Sequence, residues 1–244
     1  MIFDHINIVY DKLYSDKLYE QEFNHIINII LKFNDGNRIL EYGSGTGKYS
    51  ELFINKGFSL TGIEISPKMH EIAIKRGINS VNKSMVDYKS SKKFNNAVSM
   101  FHVFSYLNLN KEIDLFFQNL NNNIEKNGLF IFDAWYTPAV KKILPSERIK
   151  NYEDDKIRIS RKSYPTIHSN TNVVDVKFEF DLLYKDSGEK YSFEEMHKMR
   201  HFSIPEIINF SKKNNFKYLF SEELLTKKSP SEETWSLLHI LQKI

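Results

Sequence analysis

The sequence predicts an α/β fold: a mostly parallel sheet with helices on both faces, a C-terminal antiparallel hairpin, and an antiparallel β element inserted between them. Three observations carry this. Strand and helix patterns alternate through the first 134 residues, which argues for parallel strands joined by crossover helices. A turn with three alternate glycines follows the first strand. After Pro138 the pattern switches to strict apolar–polar alternation, the mark of antiparallel strands with one solvated face.

Taken in order, Lys17–Phe33 places Leu18, Phe23, Ile26, Ile27 and Ile30 at helical spacing, an amphipathic helix ahead of the first strand. Ile39–Tyr42 reads as a short buried strand. A short helix carries Tyr49, Leu52 and Phe53 and stops at Gly57, and Phe58–Ile65 is the second strand. Ser66 caps a helix that begins at Pro67 and runs to about Arg76. Ile78–Val81 and Asn96–Phe101 are the third and fourth strands. Glu112–Ile124 is a helix with Ile113, Phe116, Phe117 and Leu120 on one face, and Gly128–Ala134 is the fifth strand. In the inserted element, 156–163, 173–184 and 190–203 alternate, with a turn at Asp186–Gly188. Pro205–Asn214 returns to helix, and Phe216–Leu224 and Trp235–Ile244 form the terminal hairpin.

The 244 residues are expected to form one domain, 1–244, with 139–203 as an insert on the substrate side. No apolar run approaches the roughly 20 residues a bilayer span needs. The N-terminal MIFDHINIVYDKL, interrupted by Asp4 and Asn7, does not read as a signal peptide. Zero cysteines exclude disulfides and thiolate metal sites and fit a cytoplasmic location. Net charge is only +3 and the lysine pairs are dispersed, so no basic stripe suggests nucleic acid. The expected partner is a small molecule, with no membrane and no nucleic acid, and the protein is expected to be a monomer or homodimer.

The glycine turn carries the chemistry. Gly43, Gly45 and Gly47 follow the first strand, and Glu64 lies at the carboxyl end of the second. Glycine lets backbone approach a ligand without an intervening Cβ. Ligands of open α/β sheets bind above the strand ends, where an acidic side chain accepts hydrogen bonds from ribose hydroxyls. A nucleoside cofactor is therefore expected. NAD-binding turns space glycines as G-x-G-x-x-G; this chain has Glu41-x-Gly43-x-Gly45-x-Gly47, which resembles motif I of class I S-adenosylmethionine (SAM) methyltransferases. The other reading of the run is a structural strand–helix turn.

Further segments resemble the branch typified by dTDP-amino-sugar N,N-dimethyltransferases of antibiotic sugar biosynthesis. They are YDKLYSDKLY (Tyr10–Tyr19), SMVDY (Ser84–Tyr88), MFHVFSYL (Met100–Leu107), FDAWYTPAV (Phe132–Val140) and EEMHKMRHF (Glu194–Phe202). The resemblance implies SAM as cofactor and S-adenosyl-L-homocysteine (SAH) as product. The cofactor residues would be Tyr10, Tyr14, Glu41, Gly43, Gly45, Gly47, Glu64, Ile65, Met85 and Met100. Where the family has an aspartate for the adenine amino group, this chain has Ser84, so Met85 is expected to meet the adenine.

Methyl transfer is an in-line displacement that needs alignment and exclusion of water rather than a nucleophilic side chain or a metal. Tyr10, Tyr14, Trp135 and Tyr136 are candidates to face the sulfonium, since aromatic faces attract cations; Trp135 and Tyr136 are also expected to contact substrate. His102 and Tyr106, on the loop after the fourth strand, are the candidate catalytic residues. His102 would act as a base toward a hydroxyl or ammonium acceptor, or orient a neutral amine. The family's histidine stands further along this loop, at the position of Tyr106. Glu195, His197, Met199 and His201 share one strand face and Arg200 the other. His197 and Arg200 are expected to bind substrate, with Arg161 and His168 as further candidates; a metal pair at His197 and His201 is rejected for want of a third ligand. The acceptor is expected to be a nucleotide-linked sugar or amino sugar methylated at N or O. The alternatives are another phosphate-bearing metabolite or a SAM-binding regulatory protein without activity.

Overall fold

The structure, a computed structural model, describes Phe3 and residues 5–244. After a 3-10 turn at Ile6–Ile8, two helices, α1 (Tyr10–Leu13) and α2 (Tyr19–Phe33), lead into β1 (Arg38–Tyr42). There follow α3 (Lys48–Asn55), β2 (Ser59–Glu64), α4 (Pro67–Lys75), β3 (Ser80–Asn82), β4 (Phe94–Ser99), α5 (Asn110–Asn123) and β5 (Ile124–Trp135). Then come α6 (Thr137–Lys142), β6 (Arg148–Glu153), β7 (Ile157–His168), β8 (Val173–Tyr184) and β9 (Lys190–Arg200). The chain closes with α7 (Ile204–Lys213), β10 (Phe216–Glu223) and β11 (Ser236–Lys243).

Seven strands form the main sheet in the order β10-β11-β5-β4-β1-β2-β3. β3, β2, β1, β4 and β5 are mutually parallel, and β11 runs antiparallel to both β5 and β10. This is the α/β sheet with a C-terminal hairpin that the sequence predicts. Its strand order reverses between β1 and β4, so a crevice opens where their two following loops diverge. The central strands are buried on both faces: Leu40, Tyr42, Phe130 and Phe132 pack with Phe104, Phe116 and Phe117, while Ile39, Leu129 and Ile131 pack with Ile26, Ile30 and Phe53. Continuous apolar runs in these strands follow from that two-sided burial.

The insert forms a separate four-stranded antiparallel sheet, β6-β7-β8-β9. It has one strand more than the sequence predicts. β6, RIKNYE, is an exposed edge strand without an apolar face. β7 runs past Pro165, which takes a place opposite Val176 in the ladder. One part of the insert packs on the N-terminal segment through Ile6, Val9, Leu13, Ile159 and Phe180; another packs on the main sheet's end through Val140, Val174 and Met199. Among the described residues no helix is long and apolar enough to cross a membrane.

Candidate active site

Between the carboxyl ends of β1, β2, β4 and β5, the N-terminal segment and the insert lies a cavity of about 830 Å³. The glycine turn forms one wall. Gly43 has φ +70°, and a Cβ there would stand 2.4 Å from Val103, so only glycine fits. Gly45 also has positive φ, and space is open where its Cβ would be. The Gly43 and Ser44 amides donate to the Ile63 carbonyl, fixing the turn to β2. Asp11 of α1 accepts from Thr46 Oγ1 at 2.6 Å, tying the N-terminal segment to the same turn.

Glu64 is buried, with Oε2 receiving the Gly45 amide at 2.8 Å and Oε1 the Ser66 amide at 2.7 Å. Burial raises its pKa, outweighing the amides that favour the carboxylate. Each oxygen keeps a lone pair beyond these contacts, and Glu64 lines the cavity together with Ile65, Met85 and Met100.

Two expected cofactor residues do not reach the cavity. Glu41 points into the interior, where Ser50 Oγ donates to its carboxyl group; it fixes α3 to β1. Burial pushes its pKa up to about 8, against the Ser50 hydrogen bond. Gly47 caps α3 with φ +87° and lies behind the wall; a Cβ there would stand 2.7 Å from Ile78. A carboxyl group neutral when folded and ionised when unfolded stabilises the fold fully below about pH 4.5, and that contribution is lost as pH rises through about 8. Thermal melts of Glu41→Gln are therefore expected to show a shallower fall in Tm across that window than the parent protein.

The opposite wall begins at the loop after β4. Phe101 and His102 both have positive φ, +65° and +62°, a backbone state that costs roughly 1–3 kcal/mol per non-glycine residue. It is held by the buried Asp133 of β5, whose Oδ1 accepts the His102 amide at 2.9 Å and whose Oδ2 lies 2.8 Å from His102 Nδ1. The ring contact is close but not linear, so it is electrostatic before it is directional. Burial alone would raise the Asp133 pKa, but the His102 ring and amide bring it below the ordinary carboxylate range. A carboxylate facing Nδ1 favours a proton on that nitrogen, which leaves Nε2 as the acceptor.

His102, Tyr106, Trp135 and His197 line the cavity. Tyr106 Oη lies 2.6 Å from His197 Nδ1. Tyr10 and Tyr14 also line it, with ring centroids 4.9 Å apart, and Phe101 meets Tyr14 edge-on at 5.0 Å. Protein cations already sit near these rings: Arg161 donates to the Tyr14 hydroxyl at 2.8 Å, and Lys17 lies 4.5 Å from the Phe101 centroid.

Two expected substrate residues lie elsewhere. Tyr136, next to Trp135, is turned out of the cavity wall by the alternation of the chain; its amide bonds the Trp235 carbonyl. Arg200 is buried against Asn108, Asn110 and Glu206 and stacks on Phe202, so it is a structural cation joining β9 to α7. Of the further candidates, Arg161 lines the cavity, whereas His168 pairs with Asp175 away from it. His201 bonds Thr137 and His197 bonds Tyr106 and Glu195, and among the described residues no cluster of three metal-ligating side chains occurs. Asp133 and Glu195 hold site histidines in place, a role not assigned to either from the sequence, although Glu195 was placed on the His197 face. A lone carboxylate within the apolar strand GLFIFDAW was the available signal for the first, since a buried charge needs a partner.

A family model described as "Methyltransferase domain" matches residues 16–219. The chain belongs to that methyltransferase family. It is similar over its whole length to the putative methyltransferase YqeM of Bacillus subtilis (24% identical, covering 100% of this chain and 98% of that one). Over 140 residues it is 27% identical to the dTDP-3-amino-3,4,6-trideoxy-alpha-D-glucopyranose N,N-dimethyltransferase of Streptomyces venezuelae, covering 55% of this chain and 59% of that one. Its fold matches the crystal structure of an S-adenosylmethionine-dependent methyltransferase from Clostridium acetobutylicum with TM-score 0.83 and 18% identity, covering 99% and 98% of the two chains. The residues present suit SAM as the methyl donor: an open glycine turn, a carboxylate with free lone pairs, and aromatic side chains along one cavity.

Proposed function

We propose that this methyltransferase modifies N or O of a small, phosphate-bearing acceptor, with a nucleotide-linked sugar or amino sugar as the substrate class. One observation carries the reading: a single cavity joins the Gly43–Gly45 turn and Glu64 to a wall built by His102, Tyr106, Trp135 and His197. SAM, when bound, supplies a methyl group already activated by its sulfonium. The chain's own part is to hold the acceptor in line, exclude water with the N-terminal segment and the insert, and receive any proton the acceptor releases. Residues 139–203, in this reading, form the acceptor-side wall of one domain.

The charge on that wall supports a phosphate. Arg148 and Arg161 line the cavity, and neither has a carboxylate within ion-pair distance among the described residues; Arg161 Nε is buried without a partner. A guanidinium without a paired carboxylate attracts an anion. The similarity to a dTDP-amino-sugar dimethyltransferase adds to the case.

The test compares a dTDP-linked amino sugar with the same sugar lacking the nucleotide. Arg148→Ala and Arg161→Ala should each raise KM for the nucleotide-linked acceptor about tenfold, the 1.4 kcal/mol expected of one charge-assisted contact. KM for the free sugar should barely move. Equal losses for both acceptors, or no methylation of either, would refute the assignment.

A further inference from the structure

Glu195 stands where three parts of the molecule meet. It lies on β9 and is buried; Oε2 lies 3.1 Å from His197 Nε2, and Oε1 accepts the backbone N–H groups of His5 and Ile6 at 3.3 Å each. His197, two residues along the same strand face, is also buried, and Phe3 and Phe178 pack edge-on against its ring at 5.2 and 4.8 Å. Its other nitrogen, Nδ1, meets the Tyr106 hydroxyl at 2.6 Å. A continuous chain thus runs from the N-terminal segment through a carboxylate and an imidazole to a phenol that lines the cavity.

The direction of these hydrogen bonds follows from donor counting. A carboxylate only accepts, so in the neutral imidazole the proton on His197 belongs on Nε2, and Nδ1 is then a lone pair. The Tyr106 hydroxyl must donate to that lone pair. Its oxygen therefore presents only lone pairs to the cavity. Burial would keep Glu195 protonated, but the donors around it, His197 first, hold its pKa below the ordinary range, so it stays an acceptor.

We propose that Glu195 is a positioning residue for methyl transfer: it fixes the His197 tautomer, so that Tyr106 meets the acceptor as a hydrogen-bond acceptor, and it ties the N-terminal segment to the same wall. The role of Tyr106 toward the acceptor rests on the proposed reading of the cavity; the setting of the tautomer does not. Glutamine could not replace the carboxylate fully. Its single oxygen could serve either the His197 N–H or the two backbone amides, and its NH2 group would confront whichever donor was left.

The experiment needs no acceptor. Long-range 15N spectra of the full chain at neutral pH should show His197 as the Nε2–H tautomer, and Tyr106→Phe should leave it so. In Glu195→Ala the preference should disappear. In Glu195→Gln either the ring changes tautomer or the His5 and Ile6 amides exchange about tenfold faster, a local opening that leaves β4 protected. An Nδ1–H tautomer in the unmodified protein would overturn the proposal without any variant having to fold. So would a tautomer change in Tyr106→Phe, or a Glu195→Gln protein with both readouts unchanged. A failed sugar-methylation assay with the expected tautomer would count against the substrate class alone.

Discussion

Replacing His102 by alanine is expected to lower kcat by about 10²–10⁴ if the methylated atom is a hydroxyl oxygen, the usual contribution of a general base. The structure gives the histidine what a base requires. It lines the cavity, its Nδ1 faces the buried Asp133 carboxylate, and among the described residues Nε2 has no hydrogen-bond partner. Asp133→Asn should reproduce much of the loss, because an amide can donate to Nδ1 and so favour the wrong tautomer. If the atom is an amine nitrogen, the loss in His102→Ala should be smaller. It should shrink further as pH rises, because solvent then deprotonates the nucleophile. Initial rates across a pH series for both variants separate the two cases. A flat, undiminished profile in a folded His102→Ala protein would remove His102 from the chemistry.

Glu64→Ala should weaken SAH binding by about 1.5–3 kcal/mol, the range for hydrogen bonds to a charged group, or about 10- to 150-fold in Kd. Calorimetric titration checks this. The same carboxylate receives the Gly45 and Ser66 amides, so alanine also leaves two donors without their partner. Glu64→Gln separates the roles, since it keeps the shape and one acceptor oxygen while removing the charge. An intermediate loss for glutamine, with Tm near that of the parent, is expected. Unchanged SAH affinity in folded Glu64→Ala would remove the ribose assignment.

The sheet was legible because its signals are local. Periodicity, the glycine turn and the Ser66–Pro67 helix start each lie within a few residues, whereas the order of the strands came only with the structure. What the sequence left open depended on exposure or on distance along the chain. β6 escaped because RIKNYE has no apolar face to alternate, and the end of β7 because Pro165 reads as a strand breaker although it can sit in a ladder where no donor is required. Glu41 was read from a motif shared with cofactor-binding turns, yet alternation along β1 turns it inward toward Ser50. Arg200 and His197 lie three apart on one strand and therefore on opposite faces; which face looks inward is set by the packing of the insert, not by β9 itself. The pairs Asp133–His102 and Tyr106–His197 are 31 and 91 residues apart in sequence, and only the assembled topology brings them together.

A crystal structure with SAH bound would decide the cofactor placement. The amino-acid portion is expected over Gly43–Gly45, the ribose hydroxyls on Glu64, the adenine against Met85, and the sulfur facing the space between His102, Tyr106 and Trp135. SAH bound with its sulfur turned away from His102, or with Glu64 free of the ribose, would contradict that placement.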